Sequence, residues 1–210
     1  MLIDPTTLVA YVGIVLGFVF IPGPATLLTV ATSTSSGTRV GIATGLGIAV
    51  GDIIHTAMAV LGISAVILAS ALLFSIVKYL GAAYLVYLGI RAILARQPAI
   101  GAHALTPQLS ATSAFKQAIL AELLNPKTAL FFLAFLPQFV RPESGSAFLQ
   151  LALLGIILVL LGFFSTAVFA VCAGQVGSFL RRNPAVLRWQ GKVVGAIYCA
   201  LGVRLALQER

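Results

Sequence analysis

The sequence predicts an all-α integral membrane protein. Its six transmembrane helices form two inverted three-helix repeats, with proline-broken helices in the first and fourth spans. Three observations carry this. Hydrophobic residues make up 60% of the chain and charged residues 9%, against about half and about a quarter in soluble domains. The apolar residues gather into runs near 7–31, 40–62, 65–94, 115–140, 147–173 and 186–207. The two halves of the chain also carry similar landmarks in similar order. One span takes roughly 20 apolar residues, and 60% of 210 is about 126, so six spans leave no room for an attached soluble domain. The chain reads as a single transmembrane domain, 1–210, with repeat one at about 1–96, a connecting loop at about 97–113 and repeat two at about 114–210.

The first run opens on Met1-Leu2-Ile3-Asp4 without a Lys or Arg, is long, and is interrupted by Pro22-Gly23-Pro24. A cleaved signal wants a basic start and a shorter core, so this is expected to be a retained span. The second run carries Gly37, Gly41 and Gly45, then Gly47 and Gly51. Small residues four apart let helices approach closely, which is a packing signal and not a chemical one. The third run is too long for a straight crossing and either tilts or begins in its loop. The connection at about 95–114 is polar and holds Pro and Gly, as a hinge between halves would. The fourth run is interrupted at Asn125-Pro126-Lys127. Cys172 and Cys199 lie in the apolar runs of the second half with no CxxC and no neighbouring His, which leaves a disulfide scaffold, a zinc site and a thiol relay unsupported.

The repeat is carried by Lys78-x-x-Gly81-x-x-Tyr84 with Gly89-x-Arg91, against Lys192-x-x-Gly195-x-x-Tyr198 with Gly202-x-Arg204. The two align with a single-residue gap. A unit of three spans is odd, so its second copy enters the membrane in the opposite sense. Broken helices at matched places in inverted repeats are the architecture of many secondary transporters.

Thirteen Lys and Arg against five Asp and Glu give a net charge of +8. The basic residues fall between apolar runs and form no cluster beside exposed aromatics, so the excess reads as the positive-inside bias and not as a nucleic-acid surface. Arg39, Arg96, Lys116, Arg181, Arg182 and Arg188 lie in the connections after spans one, three and five, with Arg91 and Lys192 at adjoining span ends. The opposite side holds Lys78, Arg141, Arg204 and Arg210, diluted by Asp4, Glu143 and Glu209. The first set is expected in the cytoplasm, with both termini outside.

Pro22 and Pro24 around Gly23 strip intrahelical partners from several backbone groups, and Pro126 does the same in the fourth span. A packed kink is the plain reading. Two breaks at matched places favour a substrate site, because freed backbone groups hold carboxylates or ammonium ions. Asp52, His55, Glu122 and Lys127 are ionisable residues inside predicted spans, where an unpaired charge costs several kcal/mol or is hydrated, and such residues are functional candidates. Asp52 and His55, three apart on one helix face, form a candidate proton relay, with a structural hydrogen bond as the alternative. As a metal site the pair lacks a third ligand. Lys127 can neutralise Glu122 or bind a substrate carboxylate.

These residues resemble the LysE/RhtB family of amino-acid exporters. The resemblance rests on the break at Pro22-Gly23-Pro24, on Gly51-Asp52-x-x-His55, on Lys78-Tyr79-Leu80-Gly81-Ala82-Ala83-Tyr84-Leu85, and on Asn125-Pro126-Lys127 followed by Phe131-Phe132. It covers essentially the whole chain. It implies proton-driven export of amino acids or close derivatives across a bacterial cytoplasmic (inner) membrane, with both breaks near the substrate path. The candidate substrate-binding set is Pro22, Gly23, Pro24, Glu122, Asn125, Pro126 and Lys127; the candidate proton-coupling pair is Asp52 and His55. No cofactor, metal or nucleic acid is expected. The expected partners are an amino acid, protons and the lipid bilayer, and a homo-oligomer is compatible with the sequence. The chain carries no GxxxxGK[ST] motif, so it holds no phosphate loop of its own. A passive channel or structural subunit is the nearest alternative, and a membrane-embedded metal-dependent enzyme the more distant one.

The charge asymmetry predicts that 97–113 faces the cytoplasm and Arg210 faces out. In a cysteine-free background, an impermeant thiol reagent added to intact cells should label a Cys placed at Arg210 and spare one at Gly101. The reverse pattern overturns the orientation.

Overall fold

The computed structural model describes residues 2–69 and 109–173, together with scattered positions between 79 and 94 and between 175 and 207. The third and sixth expected spans, the Lys-x-x-Gly-x-x-Tyr motifs and most of the 97–113 loop therefore fall largely outside the described residues. Within them the secondary structure is helical throughout, with no strand.

Helix α1, Pro5–Phe20, starts where Asp4 accepts a 3.1 Å hydrogen bond from the Thr7 amide and Pro5 takes a first-turn position that has no amide partner to lose. That amide holds the exposed Asp4 carboxyl below the usual aspartate value. The helix ends before Pro22, and α2, Pro24–Ser36, resumes at a bend of 48°. Gly37 then turns the chain with φ +92°, a conformation that favours glycine, and its N–H closes on Ser33 O at 3.0 Å. Helix α3, Thr38–Ala69, follows directly. Helix α4, Ala111–Leu123, is broken at Asn125. The short α5, Pro126–Leu130, runs on through a π-helical turn, Phe131–Phe135, and a 3-10 turn, Leu136–Phe139. Across this break the chain bends by 53°. Helix α6, Ala147–Val171, is capped by the Ser146 hydroxyl.

Thr38–Gly62 and Ala147–Val171 are each 25 residues and apolar enough to cross a membrane. At 1.5 Å per residue each reaches about 37 Å, beyond the roughly 30 Å hydrocarbon core. The bent pairs α1–α2 and α4–α5 bring the crossings to four if each pair counts as one. This is a multi-pass membrane protein.

Helix α3 is the central post, packing most extensively on α4 and α6. Its glycines set both contacts. A Cβ at Gly41 would run into Ser33 of α2 and stand 3.2 Å from Ala170 of α6, and one at Gly45 would stand 2.9 Å from the Thr166 hydroxyl. Two residues on, the helix has turned by about 200°. There a Cβ at Gly47 would collide with Phe115 O and stand 2.8 Å from Ala118 Cβ, and one at Gly51 would stand 2.7 Å from Glu122 Cβ. The glycine spacing thus serves two seams.

At one end, Tyr11, Phe131, Phe132, Phe135, Leu136, Leu151, Leu154 and Leu158 form a buried cluster. The Tyr11 hydroxyl donates to Leu154 O at 2.8 Å, which satisfies a polar atom that burial would otherwise leave unpaired. Gln150, buried under the turn after α5, accepts from Arg141 N at 2.9 Å and donates to Arg141 O at 2.8 Å, fixing the entry to α6.

Gly47→Ala should cost about 1–3 kcal/mol, because the obstructing atom is a backbone carbonyl that has little freedom to withdraw. Gly13→Ala, beside which no described residue comes within 4 Å, should be neutral or slightly stabilising. Thermal unfolding of the two variants in detergent checks this; equal melting temperatures would refute the close α3–α4 seam.

Candidate functional site

Each proline break frees a carbonyl four residues upstream, and each freed carbonyl is taken by a side chain from another helix. Pro22 lacks the N–H that Phe18 O would accept in a continuous helix. Lys127 supplies the donor instead, with Nζ 2.9 Å from Phe18 O and 3.2 Å from Ile21 O. The same ammonium stands 4.2 Å from the centre of the Phe18 ring, in range of a cation–π contact. Gly23 is extended (φ −122°, ψ −169°), so Val19 O also loses its helical partner, and the Ser165 hydroxyl of α6 donates to it at 2.9 Å.

The second break follows the same logic. Pro126 cannot donate to Glu122 O. His55 Nε2 lies 3.2 Å from that oxygen and, facing an acceptor, carries the hydrogen; the Asn125 amide reaches it at 3.0 Å. Asn125 works both ways. Its Oδ1 accepts from Lys127 N at 3.1 Å as the cap of α5, and its Nδ2 donates to both Glu122 carboxyl oxygens at 3.2 Å. The Thr128 hydroxyl donates to Glu122 Oε1 as well.

The two breaks meet. A Cβ built on Gly23 would stand 3.2 Å from Lys127 Nζ. Between them lies a cavity of about 40 Å³ bordered by Phe18, Gly23, Asp52, Glu122, Lys127 and Gly162. That is room for about three water molecules and not for an amino acid. Asp52 is 4% exposed and Glu122 3%. The two carboxyls lie within reach of each other across α3 and α4, with Lys127 close enough to act on Asp52. Gly162 makes room for Asp52: a Cβ there would stand 3.4 Å from Oδ2. Two carboxyl groups against one ammonium leave the pocket short of one positive charge whenever both acids are ionised.

A family model for LysE type translocators matches residues 16–209. The chain belongs to that family. It is a transporter and not an enzyme, as its relatives' names also indicate. It is 34% identical over 200 residues to an uncharacterized membrane protein of Pseudomonas aeruginosa, covering 91% of this chain and 92% of the relative. An uncharacterized membrane protein of Vibrio cholerae is 32% identical over 197 residues, 94% of this chain and 95% of the relative. A leucine efflux protein of Salmonella choleraesuis is 29% identical over 191 residues, 90% and 89%. No solved structure matches the chain.

In this translocator Gly23, Pro24, Asp52, Glu122, Asn125 and Lys127 all border the one cavity. Pro22 and Pro126 act through the hydrogens they lack. His55 stands behind the cavity wall, its ring stacked 5.7 Å from Phe132. The Asp52 carboxyl shares the cavity wall with Glu122, and His55 Nε2 serves the Glu122 carbonyl. Sequence reasoning missed Phe18, Thr128 and Ser165. A signal existed for two of them. Thr128 directly follows Asn125-Pro126-Lys127, and Ser165-Thr166 is a polar pair inside a largely apolar helix.

Proposed function

We propose that this translocator is a secondary exporter of amino acids or close derivatives, coupled to proton entry, built as six spans in two inverted three-helix repeats in a bacterial cytoplasmic membrane. The observation that carries the reading is the meeting of two proline-broken spans around a cavity lined by two buried carboxyl groups and one ammonium. Matched breaks of this kind bracket substrate in many secondary transporters. The relative named for leucine efflux points to small neutral amino acids, and the cavity wall mixes Phe18, Ile48 and Leu158 with its polar groups, as an apolar side chain would need.

The substrate carboxylate is assigned to Lys127 and Asn125, with Gly23 and Pro24 shaping the wall and Pro22, Pro126 and Glu122 setting the backbone around it. Asp52 and Glu122 form the proton-carrying pair, and His55 positions the second member of it. Without substrate, one proton supplies the missing positive charge. The ammonium of an amino acid competes with that proton for the two acids while its carboxylate takes up the Lys127 charge, so the two cargoes alternate in one site. Loading requires the cavity to widen, and the 48° and 53° bends are the natural hinges for α2 and α5.

Flux from proteoliposomes loaded with leucine tests this. An imposed pH gradient should drive the wild type uphill. Asp52→Asn should remain folded and lose gradient-driven movement by a factor of about 100 or more, while exchange between equal pools survives. Full gradient-driven movement by that variant removes Asp52 from coupling. Leucine movement indifferent to the gradient in the wild type identifies a passive channel instead.

A further inference from the structure

Lys127's ammonium is held by three groups that all belong to the first break: Phe18 O, Ile21 O and the face of the Phe18 ring. None of the three depends on Lys127. Pro22 and the extended Gly23 make them available, and carbonyl oxygens over an aromatic face are a general way of holding an organic ammonium. Lys127 reaches them on a flexible four-carbon stem that runs past Gly23, where a Cβ would stand 3.3 Å from Lys127 Cδ. The cradle adjoins the cavity that carries Asp52 and Glu122. It is an ammonium site filled by a tethered ammonium.

We propose that this cradle is a primary-ammonium subsite, filled by Lys127 in the present conformation and by the α-ammonium of the transported amino acid during transport, while Lys127 turns to the substrate carboxylate. The inference rests on the export reading above and adds to it a substrate class. The swap replaces one ammonium by another, so Phe18 O and Ile21 O are never left unpaired at membrane depth. The released Lys127 meets a carboxylate that would otherwise be buried alone. A zwitterion adds no net charge, so the swap of one ammonium for another does not itself change the charge of the pocket. Free α-amino acids qualify. An N-acylated amino acid or an α-keto acid offers a carboxylate and no ammonium, and is excluded.

Titration of purified full-length protein in detergent with n-propylammonium tests the subsite, against tetramethylammonium, which has no N–H to donate. Propylammonium should stabilise Lys127→Ala saturably and bind it at least about tenfold more tightly than the wild type, whose own lysine competes; a charge-assisted hydrogen bond is worth at least that factor. Tetramethylammonium should not substitute. Leucine should gain less from the substitution than propylammonium does, having lost its carboxylate partner. Equal propylammonium binding to both proteins, or equal effects of the two cations on the variant, overturns the subsite. Should Lys127→Ala fail to fold, competition in the wild type decides. Leucinamide, which keeps the ammonium, should displace leucine at least about tenfold better than N-acetylleucine, and equal competition overturns the proposal. A propylammonium response without any gradient-driven amino-acid flux would sink the export reading and leave the subsite standing.

Discussion

Two missing hydrogens organise this protein. Pro22 and Pro126 each leave a carbonyl without its helical donor, and a bilayer interior has no water to replace that donor, at a cost of several kcal/mol per unpaired group. Beside the Asn125 amide, which reaches Glu122 O locally, the replacements come from elsewhere in the fold. Lys127 reaches Phe18 O from the second break, His55 reaches Glu122 O from α3, and Ser165 reaches Val19 O from α6. A break that would weaken a helix in isolation thereby becomes a tertiary contact. The proposed substrate site and the fold's polar closure are made by the same atoms, so the site cannot open without the fold supplying another partner for each carbonyl.

The glycines of α3 bring the helices close enough for this to happen. Gly51 lets the Glu122 stem lie against the α3 backbone, which places the two carboxyls together; Gly162 admits Asp52 from the other side. With larger residues the helices would stand apart, and Asp52 and Glu122 would be two separately buried acids, each needing its own partner. Close approach is therefore what converts two costly residues into one pair with a shared charge.

Much of this was legible in the sequence. The apolar runs, the proline breaks and the four-residue glycine spacing reported helices, interruptions and tight seams, because each follows from local backbone chemistry. That Gly41 and Gly45 face away from Gly47 and Gly51 also follows, since two residues turn a helix by about 200°; which neighbours they meet does not. The pairing of Asp52 was read from the nearest ionisable residue on its own helix, His55. Spacing along a helix captures such local neighbours, whereas Glu122 arrives from 70 residues away through packing. His55's service to a backbone carbonyl leaves no pattern at all, because a carbonyl is present at every residue. The Phe18 and Ile21 carbonyls were hidden for the same reason.

The two breaks face each other across the cavity, and cross-linking measures that directly. In a background with Cys172 and Cys199 replaced, Gly23→Cys combined with Lys127→Cys places one thiol on each break. A short bifunctional thiol reagent applied to native membranes should join them within one chain, while Gly13→Cys with Lys127→Cys, ten residues away along α1, should stay unlinked. Linkage of the control pair as readily as the first, or none in the first, would mean that the breaks do not meet.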